Sequence, residues 1–166
     1  MVIEMTTAPV ATTGIPDPGL AAILARFAPG VGAAMADLHK EARGAVDPAI
    51  LELCRLRLAT LMGDEAETGG PVGAAPAMGP DEEKIAELAD WPTSVRFTAA
   101  DRACLAFAEQ FVGDVSSLTA EDCEAVLAHL DPPAFYGFVT ALLALDGHQR
   151  LRLTLAGLGI GEGEYE

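Results

Sequence analysis

The sequence has few cysteines, no long apolar run and no targeting signal. Its three cysteines, Cys54, Cys104 and Cys123, are too few and too far apart to predict a disulfide framework or a zinc site. No apolar stretch approaches the roughly 18 residues that a membrane span requires. The N-terminus lacks a basic segment followed by an apolar one, so no signal peptide is predicted. We therefore expect a cytoplasmic protein.

Basic residues are also scarce. Ten Lys and Arg stand against 25 Asp and Glu, which gives a formal net charge of −15. Such a surface repels phosphate backbones and anionic lipids, so we expect neither a nucleic-acid nor a membrane partner. Apolar residues make up 51% of the 166-residue chain, which excludes an intrinsically disordered protein and predicts one domain with a proper core.

Runs of alternating β-branched residues are absent, whereas helix start signals are frequent. Asp47-Pro48, Thr98 and Thr119 can each accept hydrogen bonds from the unpaired N–H groups of a helix start. The stretch from Ile50 to Met62 is apolar on nearly every side, which predicts a helix buried in the middle of the domain. Further helices are predicted over 31–43, over 80–89 and from Asp131-Pro132 to about Leu155. We predict an all-α protein, a single-domain bundle of six to eight helices.

Three stretches lack this helical pattern. Residues 1–17 are predicted to form an extended arm that precedes a helical domain over 18–160, and residues 161–166 form an acidic tail. Within the domain, residues 63–80 contain five Gly and three Pro. This composition disfavours a continuous helix, so we predict a long loop, and long loops inside compact domains are usually functional or disordered.

The stretch ELCRLRLATL, which begins at Glu52, resembles the central helix of the alkylhydroperoxidase-D-like, or carboxymuconolactone decarboxylase, family. Other segments match this family in the same order: Asp47-Pro48, Glu82–Ala86, Asp90-Trp91, Phe97–Ala103, Ala106–Glu109 and Gln149–Leu151. The resemblance covers about residues 29–155. It implies the family's helical fold and assembly into trimers or hexamers.

Redox members of the family carry a glutamate on this helix, a Cys-x-x-Cys pair twelve residues later and a histidine four residues after the pair. Here Glu52 is retained, but Asp64 and Glu67 stand at the cysteine positions and Pro71 stands at the histidine position. A dithiol peroxidase mechanism through these positions is chemically impossible. The resemblance therefore implies a non-redox member, most simply a cofactor-independent acid/base enzyme of the decarboxylase, lyase or cyclase type acting on a small organic acid.

Three carboxylates are candidate catalytic groups. Glu52 is either a general base on a buried helix or the ion-pair partner of Arg55, three residues on along the same side. Asp64 and Glu67 either form an acid/base or cation-binding pair or belong to a solvated acidic loop. In a chain that is acidic throughout, we favour the solvated loop.

Histidines and arginines complete the candidate set. His39 and His148 lie on predicted helices and could act as general acids or bases, whereas His129 lies near a helix end. No two histidines have zinc-ligand spacing, so no metal site is predicted. A substrate carboxylate or enolate would be held by Arg55 or Arg57, and Arg150 and Arg152, which lie near His148 on the last helix, could also attract a carboxylate substrate.

Two alternatives remain open. The chain could be a non-catalytic ligand-binding or assembly protein, because the redox segment has become rich in Gly and Pro. It could also be an antioxidant peroxidase that uses a single cysteine, although Cys54 and Cys104 fall on apolar stripes typical of core residues. In each case we expect a homo-oligomer.

Overall fold

The computed structural model describes residues 18–68 and 80–158, and these residues form eight α-helices, two 3-10 turns and no strand. The helices are α1 Pro18–Phe27, α2 Pro29–Ala45, α3 Pro48–Met62, α4 Glu65–Thr68, α5 Glu82–Ala86, α6 Ala99–Asp114, α7 Ala120–Leu127 and α8 Pro132–Gly157. The 3-10 turns cover Leu88–Asp90 and Val115–Ser117. The predicted all-α bundle is confirmed. The predicted arm over 1–17, the tail over 161–166 and most of the loop, residues 69–79, lie outside the described residues.

Side chains at the predicted start signals cap the helices. Asp47 accepts a hydrogen bond of 2.8 Å from the backbone N–H of Ala49, and Pro48 occupies the first turn of α3. Thr98 and Thr119 each begin a capping box, in which the carboxylate of the aspartate three residues later accepts a hydrogen bond from the backbone N–H of the threonine. These caps are local in sequence, which explains why the helix starts were predicted correctly.

The core surrounds α3. Leu53 and Leu58 of this helix are fully buried, together with Leu105 on α6 and with Phe138 and Leu142 on α8. The nearly uniform apolar surface of α3 is thus covered by neighbouring helices, as its sequence predicts. A second, smaller cluster joins α1 to α2 and α8 through Leu20, Ala21, Leu24, Met35, Ala36, Leu151 and Leu155.

Two segments differ from the prediction. The helix expected over 80–89 is divided into the short α5 and a 3-10 turn, and this turn directs both Leu88 and Trp91 into the core. A 3-10 turn places residues three apart on the same side, which an α-helix does less well. Within the predicted loop over 63–80, the residues of α4 form a helical turn instead. Its cap is the Asp64 carboxylate, which accepts a 3.1 Å bond from the Glu67 N–H.

No single helix within residues 18–68 and 80–158 is long and apolar enough to cross a membrane. Helices α7 and α8 reach that length and apolar character only when they are taken together, and the chain bends by 116° between them.

Candidate functional site

The turn between α3 and α4 brings the two acidic candidates into the interior. Gly63 adopts a left-handed backbone conformation with φ of 69°. The N–H groups of Gly63 and Asp64 then bond to the carbonyls of Thr60 and Ala59, which closes the end of α3 as a Schellman motif. As a result, Asp64 is only 1% exposed and Glu67 is also buried. The interpretation of these residues as a solvated acidic loop is wrong.

Arg55 is the central cation of this region. Its Nε and Nη2 atoms bind both carboxylate oxygens of Glu52 at 2.9 and 2.7 Å. Its Nη1 atom binds the Glu67 carboxylate and lies 3.4 Å from the Glu67 carbonyl oxygen. Burial acts to lower the pKa of the Arg55 guanidinium, but the bonds and charges of Glu52 and Glu67 outweigh burial and raise this pKa.

A second guanidinium reaches the cluster from α8. Arg152 forms an ion pair with the Oδ1 atom of Asp64, and its Nε atom lies 4.0 Å from Glu67 Oε1. The sequence indicated Arg152 only as a neighbour of His148 that could attract a substrate carboxylate, and not as the ion-pair partner of Asp64. The pairing joins residues 88 positions apart in the chain, so local spacing could not reveal it.

The resulting acidic cluster consists of Glu52, Arg55, Asp64, Glu67 and Arg152. Three carboxylates and two guanidinium groups leave one negative charge when all are ionised. The second carboxylate oxygen of Asp64, Oδ2, is buried and receives no hydrogen bond from the described part of the chain. No group of three His, Cys, Asp or Glu side chains in that part is arranged to hold a metal ion.

Gln149 is a further buried polar residue beside the acidic cluster, and the sequence analysis did not select it. It is 1% exposed, and its Nε2 atom donates a 3.1 Å hydrogen bond to the backbone carbonyl of Arg55. Its Oε1 atom is buried and has no donor among residues 18–68 and 80–158. Gln149 lies three positions before Arg152, so the two side chains are neighbours on the surface of α8.

The histidine candidates form a contact of their own. His39 on α2 and His148 on α8 are both buried, and their rings meet edge to face with centroids 5.3 Å apart. His148 lies one helical turn before Arg152, which places both side chains on the same face of α8. The remaining histidine, His129, is exposed beyond the end of α7.

The structure does not bring the three predicted substrate-binding arginines together. Arg57 lies about 200° around α3 from Arg55 and binds Glu109 Oε1 at 2.5 Å. Arg150 is exposed on α8 and pairs with Asp146 at 2.7 Å. Arg150 and Glu109 line an open cavity of about 450 Å³ between the end of α3, α6 and α8. Only Arg55 belongs to the acidic cluster.

The thiols of the central helices are poorly suited to nucleophilic chemistry. Cys54 and Cys104 are fully buried, and the Cys54 thiol lies 3.9 Å from the Cys104 carbonyl oxygen. Burial raises the pKa of Cys54 well above its ordinary value and raises that of Cys104 to about 12. At neutral pH both groups are therefore protonated thiols, whereas the thiolate is the nucleophilic form.

The model of the carboxymuconolactone decarboxylase family matches residues 29–110, which include Glu52, Arg55, Asp64 and Glu67. Gln149 and Arg152 lie beyond the matched segment. No curated protein matches the chain.

Proposed function

Because the chain belongs, over residues 29–110, to the carboxymuconolactone decarboxylase family, we propose that it is an acid/base enzyme of the decarboxylase, lyase or cyclase type. The general base in this proposal is the Asp64 carboxylate. One observation carries it: Oδ1 of Asp64 is held by Arg152 and by the Glu67 N–H, while Oδ2 has no donor in the described part of the chain. A positioned carboxylate with one available oxygen is what proton abstraction requires.

The other members of the acidic cluster support this base. The guanidinium groups of Arg55 and Arg152 can offset negative charge that develops during the reaction. Both oxygens of Glu52 are bound by Arg55. Of the two interpretations of Glu52, the ion pair is therefore favoured, and Glu52 acts as a positioning residue for Arg55.

In the proposed reaction, the Asp64 carboxylate takes a proton from the substrate onto its Oδ2 atom. Hydrogen exchange between substrate and solvent tests this step directly. A panel of small lactones and organic acids is incubated with the protein in D₂O, and deuterium incorporation is followed by NMR. We expect incorporation for at least one compound and a decrease of about 10²–10⁴-fold in Asp64→Asn, the range typical of a lost general base.

The matched control is Glu124→Gln, which removes an exposed carboxylate on α7. This variant should exchange at the wild-type rate. If Asp64→Asn and the wild type incorporate deuterium at the same rate, Asp64 is not the base. If no compound exchanges with any variant, the acid/base proposal itself is rejected.

A non-catalytic role is the second candidate, and one observation favours it. All three guanidinium nitrogens of Arg55 bind Glu52 or Glu67 of the same chain, so the acidic cluster ties α4 to α3 without a substrate. In that case the cluster would stabilise a binding or assembly module. The stability of Asp64→Asn would then fall, while the exchange assay would give no signal for the wild type.

We also propose that the protein forms a homo-oligomer through α8. Tyr136 is 72% exposed and Leu143 is 58% exposed, and both are large hydrophobic side chains on α8. They are seven positions apart and therefore lie on the same face, whereas the buried apolar residues Phe138, Ala141, Leu142 and Ala144 of α8 face the core. Light scattering at micromolar concentration should give a trimer or a larger species for the wild type and a smaller one for Leu143→Glu. A monomeric wild type would refute the proposal.

A further inference from the structure

The open cavity between the end of α3, α6 and α8 shares no residue with the acidic cluster. Its volume of about 450 Å³ falls within the range of small-molecule pockets. One part of its lining is apolar and consists of Leu61, Met62 and Val112. The other part is polar and includes Glu109 and Arg150, which carry opposite charges. The cavity therefore suits a ligand that has an apolar part and a charged part.

The Glu109 carboxylate presents one oxygen to a ligand. Its Oε1 atom accepts hydrogen bonds from Arg57 Nε at 2.5 Å and from Trp91 Nε1 at 2.8 Å. Its Oε2 atom accepts none from the described residues, and the side chain is 29% exposed. Two donors thus hold the carboxylate in place, while Oε2 can accept a hydrogen bond from a ligand.

The Arg150 guanidinium has donors available at the same cavity. Its Nε atom binds Asp146 Oδ1 at 2.7 Å, and its Nη2 atom lies 3.4 Å from the Val112 carbonyl oxygen. Its Nη1 atom makes no hydrogen bond to residues 18–68 and 80–158. Because a guanidinium forms strong, charge-assisted hydrogen bonds with a carboxylate, Arg150 can hold a ligand carboxylate through Nη1.

The contact with Val112 places this guanidinium close to Glu109. Val112 follows Glu109 by three positions on α6, which is about 4.5 Å along the helix axis. Positions at this spacing are neighbours on the helix surface, so the guanidinium and the carboxylate lie about one helical turn apart along α6. An α-amino acid carries its carboxylate and its ammonium on the same carbon atom. Two oppositely charged groups at this short spacing can therefore bind both ends of one such molecule.

The charge balance of the cavity also favours a zwitterion. Glu109 is paired with Arg57, and Arg150 is paired with Asp146, so these four groups carry no net charge when ionised. A zwitterion leaves this balance unchanged, whereas a simple carboxylate or a simple amine adds a charge and occupies only one of the two polar groups. An apolar ligand side chain would cover Leu61, which is 49% exposed, and burial of apolar surface favours binding.

We propose that this cavity binds a free α-amino acid with an apolar side chain. Arg150 binds the carboxylate of the amino acid, and Glu109 Oε2 accepts a hydrogen bond from its ammonium. The apolar side chain lies against Leu61, Met62 and Val112. The inference does not depend on the proposed acid/base reaction, because the acidic cluster takes no part in it.

Trp91 provides a specific probe of this site. It is the only tryptophan of the chain, and its indole N–H bonds to Glu109, so its signal is identified in a ¹H–¹⁵N NMR spectrum without further assignment. The full chain is titrated with L-leucine, and we expect a saturable shift of this signal. N-acetyl-L-leucine lacks the ammonium, L-leucinamide lacks the carboxylate and glycine lacks the apolar side chain. Each of these should bind about tenfold more weakly than leucine, or weaker still.

Two variants test the two charged groups separately. Arg150→Met should weaken leucine binding about 10–100-fold, the range for lost hydrogen bonds to a charged group, and should leave leucinamide binding unchanged. Glu109→Gln keeps an acceptor for Trp91 but removes the charge. It should weaken leucine binding about tenfold and leave N-acetyl-L-leucine binding unchanged. Arg96→Met is the matched control, because Arg96 is another exposed, ion-paired arginine that does not line the cavity. It should bind leucine as the wild type does.

The outcomes decide the inference without any measurement of turnover. Leucine binding that is weakened in Arg150→Met and kept in Arg96→Met supports the site. The absence of a saturable shift with leucine would overturn it, as would equal affinities for leucine and either N-acetyl-L-leucine or L-leucinamide. Unchanged leucine affinity in Arg150→Met would overturn it as well. If Glu109→Gln does not fold, Arg150→Met alone decides, because the Arg150 side chain is 57% exposed and lies outside the core.

Discussion

Replacement of Arg55 by methionine tests how the acidic cluster is held together. Methionine keeps an unbranched, apolar stem but removes the guanidinium with its three donor nitrogens. Glu52 and Glu67 would lose these donors at once, and the Glu67 side chain is only 5% exposed. Glu67 would then be a buried carboxylate that has lost its bonds to Arg55, while Arg152 Nε lies 4.0 Å from Glu67 Oε1.

The expected loss follows from this burial. Removing one partner of a buried ion pair costs about 3–5 kcal/mol, because the other charge stays buried after losing the donors of that partner. At about 2–4 °C per kcal/mol for a domain of this size, Tm should fall by roughly 6–20 °C. This loss is a large part of a typical unfolding free energy of about 5–15 kcal/mol.

Arg57→Met is the matched control on the same helix. Arg57 also pairs with a glutamate, but the side chains of that pair are 18% and 29% exposed, so water can solvate the partner that is left. We expect a smaller loss, nearer 1 kcal/mol. Urea unfolding followed by circular dichroism gives both free energies of unfolding, and an unchanged m-value shows that they can be compared.

A triple variant separates the energy of the Arg55 ion pairs from the cost of leaving carboxylates without Arg55. Replacing Glu52 and Glu67 by leucine in the Arg55→Met background removes both stranded carboxylates and should regain most of the lost stability. If Arg55→Met loses no more than Arg57→Met, the acidic cluster is not a coupled buried network and the reasoning is refuted.

Three other predictions concern the rest of the chain. Gly63→Ala should lower the free energy of unfolding, measured with urea, by about 1 kcal/mol. An added Cβ at Gly63 would meet no atom within 4 Å, so the loss reports only the cost of the positive φ angle for alanine. Burial acts to raise the Asp101 pKa, but the hydrogen bond from Lys84 and those from Thr98 lower it below 3.8. The stability that Asp101 contributes should therefore be complete above pH 3.8 and be lost as acid protonates the folded carboxylate. Acid unfolding of Asp101→Asn should accordingly show a flatter pH dependence than that of the wild type. Cys54 and Cys104 should react with DTNB only after unfolding, and rapid modification of either thiol in the native protein would contradict their burial.

Much of the fold was predictable from local chemistry. The starts at Asp47, Thr98 and Thr119 were predicted because each cap bonds to an N–H two or three residues away. The position of α3 was predicted because a helix that is apolar on all sides has to be covered by its neighbours. By contrast, α1 was not predicted as a separate helix, since its short apolar face becomes informative only when α2 and α8 pack against it.

The candidate site was predictable only in part. The ion pair between Glu52 and Arg55 was one of two open interpretations, because residues three apart on a helix are neighbours. The solvated-loop interpretation of Asp64 and Glu67 was wrong, because their cationic partners come from α3 and α8. Gln149 was missed as a site residue, and the pairing of Arg152 with Asp64 was not predicted, for the same reason: these contacts join residues far apart in the chain.

The sequence by itself determined the helical class, the helix caps and the central position of α3, and it singled out Asp64 and Glu67 as candidate site residues. Those properties depend on side chains within a few positions of one another and on the periodicity of one helix. Only the tertiary structure decided that these two carboxylates are buried between Arg55 and Arg152, and that Gln149 lies beside them. A charged side chain can be buried only when packing brings an opposite charge to it, and that pairing is a property of three helices together.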